Sequence, residues 1–242
     1  MKNVIIIGAS GAIGKEMVRA FYNKGYNVFG GYFSNKNELD ALIKKLKNKN
    51  NRVCFEQVDL SSEESIKKFF NSFAKVFGKV DVLVNCAGVS RPNLLMDVNS
   101  SDLSSEISIN LTGTIISCKE ALNHFNDHGG SIINIGSIWG SVGGAFETTY
   151  SATKGGVIAF SKALAKEVGS AGIRVNVISP GLVKSPINNH LTRQDYEAVK
   201  SEAPLNRIAT AKEIAACATF LASNNARSIT GQNIVIDAGF TL

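Results

Sequence analysis

The sequence lacks any apolar run long enough to cross a membrane. A spanning helix needs roughly 18 or more consecutive apolar residues, and the first apolar run, residues 4–7, leads directly into glycines. That run is also too short for the apolar segment of a secretory signal. We therefore expect a cytoplasmic protein that has no membrane partner.

Cysteine is scarce, and its spacing is wrong for a metal site. The chain has 4 cysteines, and they stand far apart at Cys54, Cys86, Cys118 and Cys217. Zinc sites usually draw their ligands from cysteines or histidines that are close neighbours in the sequence. We expect reduced thiols and no metal.

Positive charge is the one excess in the composition, and it lies in the first third of the chain. Residues 1–80 hold 14 Lys/Arg against 7 Asp/Glu, within a net charge of +6, and the excess is densest in residues 44–52. No aromatic residues interleave there to stack on bases. A solvated helix face is our first interpretation and a mild attraction for a phosphate-bearing cofactor the second. We expect no nucleic-acid partner.

Short β-branched runs alternate with longer amphipathic stretches over the whole chain. Several runs are apolar on both faces, which is typical of parallel strands covered by helices on each side. No linker or repeat divides the 242 residues. The pattern predicts one α/β domain with a doubly wound parallel sheet of about seven strands and helices on both faces. The predicted strands are residues 4–7, 27–30, 53–57, 80–84, 131–135, 173–178 and 233–236, and the predicted helices are residues 12–24, 37–47, 63–77, 102–125, 150–168 and 211–221.

A glycine-rich loop separates the first predicted strand from the first predicted helix. Residues 8–14 read GASGAIG. Glycines alone also make ordinary turns, but small residues in this position let a pyrophosphate approach the backbone at a helix N-terminus. The loop predicts a nucleotide site.

The end of the second predicted strand bears on the choice between NAD and NADP. After this strand the chain reads YFSNK over residues 32–36, and no carboxylate comes before Glu38. A carboxylate there would bind the 2′-hydroxyl of NAD, whereas hydroxyl and basic groups accommodate a 2′-phosphate. Ser34, Asn35 and Lys36 equally resemble an ordinary loop. NADP(H) is favoured over NAD(H).

Tyr150 and Lys154 stand four residues apart in a helical stretch, so their side chains share one face. A free tyrosine has a pKa of about 10 and is a poor base at neutral pH. A neighbouring ammonium group stabilises the phenolate. By itself the pair is a common surface contact, and only its companions give it weight.

Taken together, the motifs resemble those of the short-chain dehydrogenase/reductase family. The resemblance runs from Val4 to Gln232 and implies a single-domain Rossmann fold over residues 1–242. The spacing of thirteen residues from Ser137 to Tyr150 also agrees with the family. The motifs that carry the resemblance are residues 8–14, 58–60 (VDL), 85–88 (NCAG), Asn110, 135–137 (IGS), 150–154 and 179–181 (SPG).

The resemblance implies a catalytic set of four residues. Tyr150 is the expected acid in carbonyl reduction and base in alcohol oxidation, with Ser137 hydrogen-bonded to the substrate oxygen. Lys154 is expected to lower the pKa of Tyr150 and to bind the nicotinamide ribose. Asn110 is expected to hold a water that links Lys154 to solvent. Simpler interpretations remain: Asn110 could bond backbone and bend its helix, and Ser137 could be a loop serine.

The resemblance also implies a set of cofactor contacts. Asp59 is expected at the adenine, although it could instead cap a helix, and Ser185 replaces a threonine that usually meets the carboxamide. Ala12 replaces a family glycine, Ile7 replaces a threonine, and Gly11 stands where NADP enzymes often have a basic residue. The expected cofactor-binding residues are Gly8, Ser10, Gly11, Ala12, Ile13, Gly14, Tyr32, Phe33, Ser34, Asp59, Leu60, Asn85, Ala87, Gly88, Tyr150, Lys154, Pro180, Gly181, Val183 and Ser185.

Within the family, the sequence is most similar to bacterial 3-oxoacyl-ACP reductases, including residues 204–208 (PLNRI). Acyl carrier protein (ACP) is acidic, yet residues 126–131 and 170–172 supply no basic docking residues. We therefore expect a diffusible ketone, alcohol or sugar derivative, with true ACP reduction as the alternative and a non-catalytic nucleotide sensor as a remote one. Trp139, Phe146 and Ile187 are candidate pocket walls or core residues. The resemblance further suggests a homotetramer built partly through the helices at 102–125 and 150–168.

Overall fold

The structure is a computed structural model that describes residues 1–46 and 50–242. Its seven strands form one parallel sheet in the order β3-β2-β1-β4-β5-β6-β7. The predicted doubly wound α/β fold is therefore confirmed. The strands are β1 (Asn3–Ile7), β2 (Asn27–Tyr32), β3 (Val53–Gln57), β4 (Val82–Asn85), β5 (Gly130–Ile135), β6 (Ile173–Pro180) and β7 (Asn233–Ile236).

Helices connect the strands and cover both faces of the sheet. Most begin and end close to the predicted bounds. The end of the helix predicted at 37–47 and the middle of the basic stretch 44–52 lie outside the described residues. The α-helices of the described residues are α1 (Ala12–Asn23), α2 (Lys36–Lys45), α3 (Glu63–Phe77), α4 (Ser100–Ile107), α5 (Gly113–Leu122), α6 (Trp139–Val142), α7 (Thr148–Val168), α8 (Arg193–Glu202) and α9 (Ala211–Leu221).

Apolar side chains fill two layers, one on each face of the sheet. Because successive residues of a strand point to opposite faces, Ile6 packs against Met17 and Phe21 of α1, whereas Ile5 packs in the other layer with Phe69 of α3. Both neighbours in β1 are fully buried. The central strands are therefore apolar without alternation, which explains the runs seen in the sequence.

The order of the strands reverses between β1 and β4. The chain moves outward from β1 to β3 and then returns to place β4 on the other side of β1. The connections therefore leave these two strands in opposite directions, and a crevice opens outside their carboxyl ends. The phosphate-type loop of residues 8–14 lies at this crevice.

Two predicted elements were wrong in detail. The helix predicted at 102–125 is α4 and α5 joined by a π-helical turn over Ser108–Thr112. The strand predicted at 80–84 begins at Val82, and Val80 makes only an isolated bridge with Phe125.

The helix α8 was missed because it is polar and contributes no buried residue to the core. Its N-terminus is stabilised by a capping box, in which the Thr192 hydroxyl accepts from the Asp195 N–H and the Asp195 carboxylate accepts from the Thr192 N–H. In the described part of the chain, no helix is both long and apolar enough to cross a membrane.

Candidate active site

A cleft of about 760 Å³ opens at the carboxyl ends of the central strands. This volume is within the range of sites that bind small molecules and cofactors. Residues from independent strand ends meet there, as the sequence predicts. The predicted site residues that line the cleft are Ser10, Gly11, Ala12, Ile13, Gly14, Ala87, Gly88, Ser137, Tyr150, Lys154, Pro180, Gly181, Val183 and Ser185.

The other predicted site residues do not line the cleft. The side chain of Asn85 turns into the interior, where its Nδ2 donates to Asn134 Oδ1 at 2.8 Å and to Cys118 Sγ at 3.3 Å. In the loop that follows β2, Asn35 lines the cleft. The predicted residues in this second group are Gly8, Tyr32, Phe33, Ser34, Asp59, Leu60, Asn85 and Asn110.

Asp59 forms a local turn instead of capping a helix. Its Oδ1 accepts from the backbone N–H of Ser61 at 2.9 Å and from the Ser61 hydroxyl at 2.7 Å. The N-cap of α3 is Ser62, whose hydroxyl accepts from the Ser65 N–H. The helix-cap interpretation of Asp59 was therefore wrong, and contact with an adenine stays a prediction.

The loop of residues 8–14 leaves no space for side chains at two of its glycines. Gly8 has φ +88°, and a Cβ there would lie 2.6 Å from the backbone nitrogen of Ala87. A Cβ on Gly14 would lie only 2.0 Å from the Gly8 carbonyl oxygen. The loop therefore packs backbone against backbone between β1, β4 and α1.

The N-terminus of α1 lies on the cleft wall and has no side-chain cap, because its N-cap residue is Gly11. The first N–H groups of a helix have no partner within the helix, and a phosphate is a natural acceptor for them. These residues fit the pyrophosphate of a dinucleotide.

A lysine of α1 pairs with the first carboxylate that follows β2. Lys15, which follows the glycine loop, forms an ion pair with Glu38 at 2.6 Å. The hydrogen bond from Lys15 holds the pKa of Glu38 below its usual range. The nearest carboxylate after β2 is therefore bound by a lysine.

Lys154 is buried in α7, with only 3% of its surface exposed. Its Nζ donates to the carbonyl oxygen of Ile135 at 2.9 Å and lies 5.7 Å from the centre of the Tyr150 ring. Burial lowers the pKa of Lys154 to about 8. Gly88 keeps the space beside the ammonium open, since a Cβ there would lie 3.3 Å from Nζ.

Tyr150 has a raised pKa, and burial is the main cause. A hydrogen bond with Ser137 opposes the rise, while the charges of Glu147 and Glu106 add to it. The structure thus differs from the expected lowering by Lys154, because desolvation dominates and the lysine donates its hydrogen bond to the Ile135 carbonyl. Ser137 is held in turn by the backbone N–H of Trp139, which donates to its hydroxyl oxygen at 3.2 Å.

Asn110 lies in the π turn between α4 and α5 and is fully buried. Its Oδ1 accepts from the Val89 N–H and its Nδ2 donates to the Val89 carbonyl, each at 2.8 Å. Its Nδ2 also lies 3.3 Å from the Thr153 hydroxyl. The simpler interpretation, in which Asn110 bonds to backbone within a distorted helix, therefore agrees with the structure. The two hydrogen bonds hold the backbone of Val89 in the loop beside Lys154.

Two carboxylates near Tyr150 were missed in the sequence. Glu106 is only 2% exposed; the Thr149 hydroxyl donates to its Oε2, whereas its Oε1 has no partner among the described residues. Glu147 lines the cleft, and its Oε2 accepts from the Ser90 hydroxyl at 2.6 Å. Their spacing in the sequence could have identified them, because helical residues three or four apart share a face. Glu147 precedes Tyr150 by three residues, and Glu106 precedes Asn110 by four.

The substrate end of the cleft has apolar walls and a few polar groups. The predicted wall residues Trp139, Phe146 and Ile187 all line it. Phe240 joins them from the C-terminal end of the chain, with its ring centre 6.3 Å from that of Trp139. The segment around α8 adds His190 and other residues that the sequence did not predict. No group of three or more His, Cys, Asp or Glu side chains suited to a metal was found in residues 1–46 and 50–242.

Comparison with known proteins places this arrangement in a family. A family model described as enoyl-(acyl carrier protein) reductase matches residues 8–241. The chain is 37% identical to a 3-oxoacyl-[acyl-carrier-protein] reductase of Chlamydia pneumoniae, over 99% of this chain and 97% of that protein. It is 34% identical to the reductase of that name from Mus musculus, over 98% and 97% of the two chains.

Two solved structures share the whole fold. A short-chain dehydrogenase/reductase from Brucella melitensis, named a glucose/ribitol dehydrogenase, has a TM-score of 0.94 and 29% identity, over 100% of this chain and 97% of that one. A blue fluorescent protein from a metagenomic library, solved with NADPH, has a TM-score of 0.93 and 30% identity, over 100% and 98%. Since these matches extend over nearly the whole chain, the protein belongs to the short-chain dehydrogenase/reductase family and resembles the 3-oxoacyl-acyl-carrier-protein reductases within it.

Proposed function

We propose that this protein is an NAD(P)(H)-dependent oxidoreductase that interconverts a ketone and a secondary alcohol, with Tyr150 as the acid and base. One observation carries the proposal. The hydrogen-bonded hydroxyls of Ser137 and Tyr150 lie with the buried Lys154 in the same cleft as the glycine loop. Two hydroxyls that converge on one point suit a substrate oxygen whose charge changes during the reaction.

The protein residues handle the proton and the charge. A nicotinamide dinucleotide bound along the cleft supplies or accepts the hydride. In reduction, the Tyr150 hydroxyl gives its proton to the substrate oxygen, and the Ser137 hydroxyl donates a hydrogen bond to that oxygen. When Tyr150 has given up its proton, the ammonium of Lys154 stabilises the resulting phenolate, and Lys154 also binds the ribose. Asn110 holds a water through which Tyr150 regains a proton from solvent.

The raised pKa of Tyr150 favours reduction at neutral pH in the free protein. A tyrosine that keeps its proton is ready to act as an acid, whereas oxidation requires the phenolate. We therefore propose that oxidation of the alcohol becomes faster as the pH rises. The positive charge of Lys154, which has a pKa of about 8, supports the phenolate at neutral pH.

Replacing Tyr150 by phenylalanine tests the mechanism. The Tyr150→Phe variant should lose turnover, by on the order of 100-fold or more, because the proton donor is gone. It should still bind NADPH, since the glycine loop and Lys154 are intact. Steady-state rates and a fluorescence titration of NADPH measure the two properties separately. Near-normal rates in the variant would contradict the role of Tyr150, and absence of turnover in the wild-type protein on every carbonyl tested would favour a nucleotide sensor.

NADP(H) is the proposed cofactor in preference to NAD(H). Support comes from the Lys15–Glu38 ion pair, which neutralises the first carboxylate after β2 and leaves Ser34, Asn35 and Lys36 without a competing acidic group. One similar structure was solved with NADPH. Fluorescence titrations with NADPH and NADH should show tighter binding of NADPH, and equal or reversed affinities would refute this preference.

The proposed substrate is a diffusible ketone, alcohol or sugar derivative, with a 3-oxoacyl-ACP as the alternative. The curated relatives carry the name of the ACP reductase. However, the segment before β5 exposes Asp127 and His128, and no lysine or arginine is present there to bind an acidic carrier. A substrate screen that includes an acyl-ACP and its small thioester mimic separates the two. Preference for the acyl-ACP would favour the alternative.

We also propose that the protein is a homotetramer and that it works in the cytoplasm. The family resemblance suggests the tetramer, with α4, α5 and α7 in its interfaces. The four cysteines are all free thiols, which suits a reducing compartment.

A further inference from the structure

Phe146, on the rim of the cleft, has a backbone conformation that bulky residues rarely adopt. Its φ is +63°, in the left-handed region. The Asn93 N–H donates to the Phe146 carbonyl at 2.8 Å and holds the segment in place. Unfavourable backbone conformations of this kind are concentrated at functional sites. Glu147 follows directly in the chain.

Glu147 occupies the N-cap of α7 but does not cap it. Its side chain makes no hydrogen bond to the first turn of the helix. Instead, its Oε2 accepts from the Ser90 hydroxyl at 2.6 Å, and the residue lines the cleft. The strained turn at Phe146 therefore directs a carboxylate to the cleft side, one helical turn before Tyr150.

The carboxylate of Glu147 retains capacity to accept further hydrogen bonds. An ionised carboxylate offers about four acceptor positions, and the Ser90 hydroxyl uses one of them. Lys154 is the one lysine or arginine that lines the cleft in residues 1–46 and 50–242, and it donates to the Ile135 carbonyl. Burial raises the pKa of Glu147, and the charge of Glu106 adds to this rise, whereas the Ser90 hydrogen bond and His190 oppose it. The substrate end thus offers a carboxylate acceptor beside apolar walls and disfavours anions.

The geometry points to Glu147 as a specificity-determining residue that accepts a hydrogen bond from a hydroxyl group on the carbon next to the reacting carbon. The preferred substrates are then vicinal diols and the α-hydroxy ketones formed from them. This inference rests on the proposed function, since it uses Tyr150 to define the reacting carbon. A hydroxyl is the donor that fits, because it carries no charge to be desolvated and because the carbon that bears it is bonded directly to the carbon whose oxygen Tyr150 and Ser137 bind.

The size of the effect follows from the strength of a hydrogen bond to a charged acceptor. Such a bond changes binding by about 10- to 100-fold. The probes are cis-1,2-cyclohexanediol and cyclohexanol, which differ by one hydroxyl group. Their dissociation constants are measured with NADP⁺ present, in the Tyr150→Phe background, where turnover does not interfere.

The fluorescence of Trp139 reports binding, since this residue is the one tryptophan of the chain and lines the cleft. We expect the diol to bind about 10-fold or more tightly than cyclohexanol. Adding Glu147→Gln should remove most of this preference. The amide oxygen of glutamine still accepts from the Ser90 hydroxyl. This variant therefore removes the charge and keeps the hydrogen bond to Ser90, which we call the tether.

Two further variants separate specificity from a structural role. Ser90→Ala removes the tether but keeps the carboxylate, so the preference for the diol should persist in part. Glu167→Gln alters an exposed glutamate on the same helix and should leave both affinities unchanged. Equal affinity for the two probes, including no detectable binding of either, overturns the inference. Identical losses in Ser90→Ala and Glu147→Gln also overturn it.

Failure of the proposed function gives a different result. Turnover by Tyr150→Phe would contradict the role of Tyr150, whereas loss of turnover together with equal dissociation constants for the two probes would contradict only the role of Glu147.

Discussion

At the scale of single residues, the site depends on two ionisable groups that are removed from water. Burial favours the neutral form of each, so the pKa of Tyr150 is raised and that of Lys154 is lowered to about 8. In the proposed mechanism, the neutral tyrosine donates a proton and the neighbouring ammonium then stabilises the phenolate. Burial of Lys154 also costs free energy of folding, and this cost depends on pH.

The pH dependence of stability should reveal the buried lysine. In the folded protein Lys154 loses its proton near pH 8, whereas its usual pKa is 10.5. Between these values the unfolded chain binds more protons, so the free energy of unfolding rises with pH. Relative to Lys154→Met, the wild-type protein should gain about 2 kcal/mol between pH 7 and pH 9.5.

Urea denaturation at a fixed protein concentration measures this difference. Groups other than Lys154 titrate alike in both proteins, so the comparison isolates the lysine. A constant difference between the two proteins at pH 7 and pH 9.5 would show that Lys154 titrates normally.

At the scale of elements, the close packing of the loop between β1 and α1 should contribute to both stability and cofactor binding. Gly14 has no room for a side chain, because a Cβ would lie 2.0 Å from the Gly8 carbonyl oxygen. Gly14→Ala should therefore lower the free energy of unfolding by about 2 kcal/mol and weaken NADPH binding. Urea denaturation and fluorescence titration measure the two effects.

Gly11 is the matched control in the same loop. Its backbone is extended, at φ −69° and ψ 167°, and the nearest atom to an added Cβ is 3.4 Å away. Gly11→Ala should change stability little and should weaken NADPH binding less than Gly14→Ala. Equal effects of the two substitutions would show that the close packing at Gly14 is not what shapes the loop.

At the scale of the whole molecule, the exposed apolar side chains on α4 bear on assembly. Ile107 is 39% exposed at the end of this helix, which the family resemblance places in an interface. Light scattering of the wild-type protein should give about 100 kDa, four times the 25.8 kDa of one chain.

A charge introduced into this face should break the assembly. Ile107→Glu is expected to reduce the measured mass, since an interface that buries an unpaired carboxylate is unfavourable. Ile43→Glu is the control, because Ile43 is 42% exposed on α2, outside the expected interfaces. A wild-type mass near that of one chain would contradict the tetramer.

Local patterns in the sequence were sufficient to predict most of the architecture. Apolar runs, glycines and the spacing of Tyr150 and Lys154 depend on backbone periodicity, which neighbours in the sequence determine. The parallel sheet and the cleft at the strand ends followed from them, whereas the partnership of Ser137 with Tyr150 was implied by the family resemblance. The polar helix α8 was missed because that signal requires a buried apolar face, which α8 does not have.

Only the tertiary structure decided the electrostatics of the site. Glu106 comes from α4 and Glu147 from the start of α7, yet both act on Tyr150. Lys154 donates to the Ile135 carbonyl, and Asn110 clamps Val89 from a π turn. These facts depend on burial and on contacts between residues far apart in the chain, because desolvation and charge act through space rather than along the sequence.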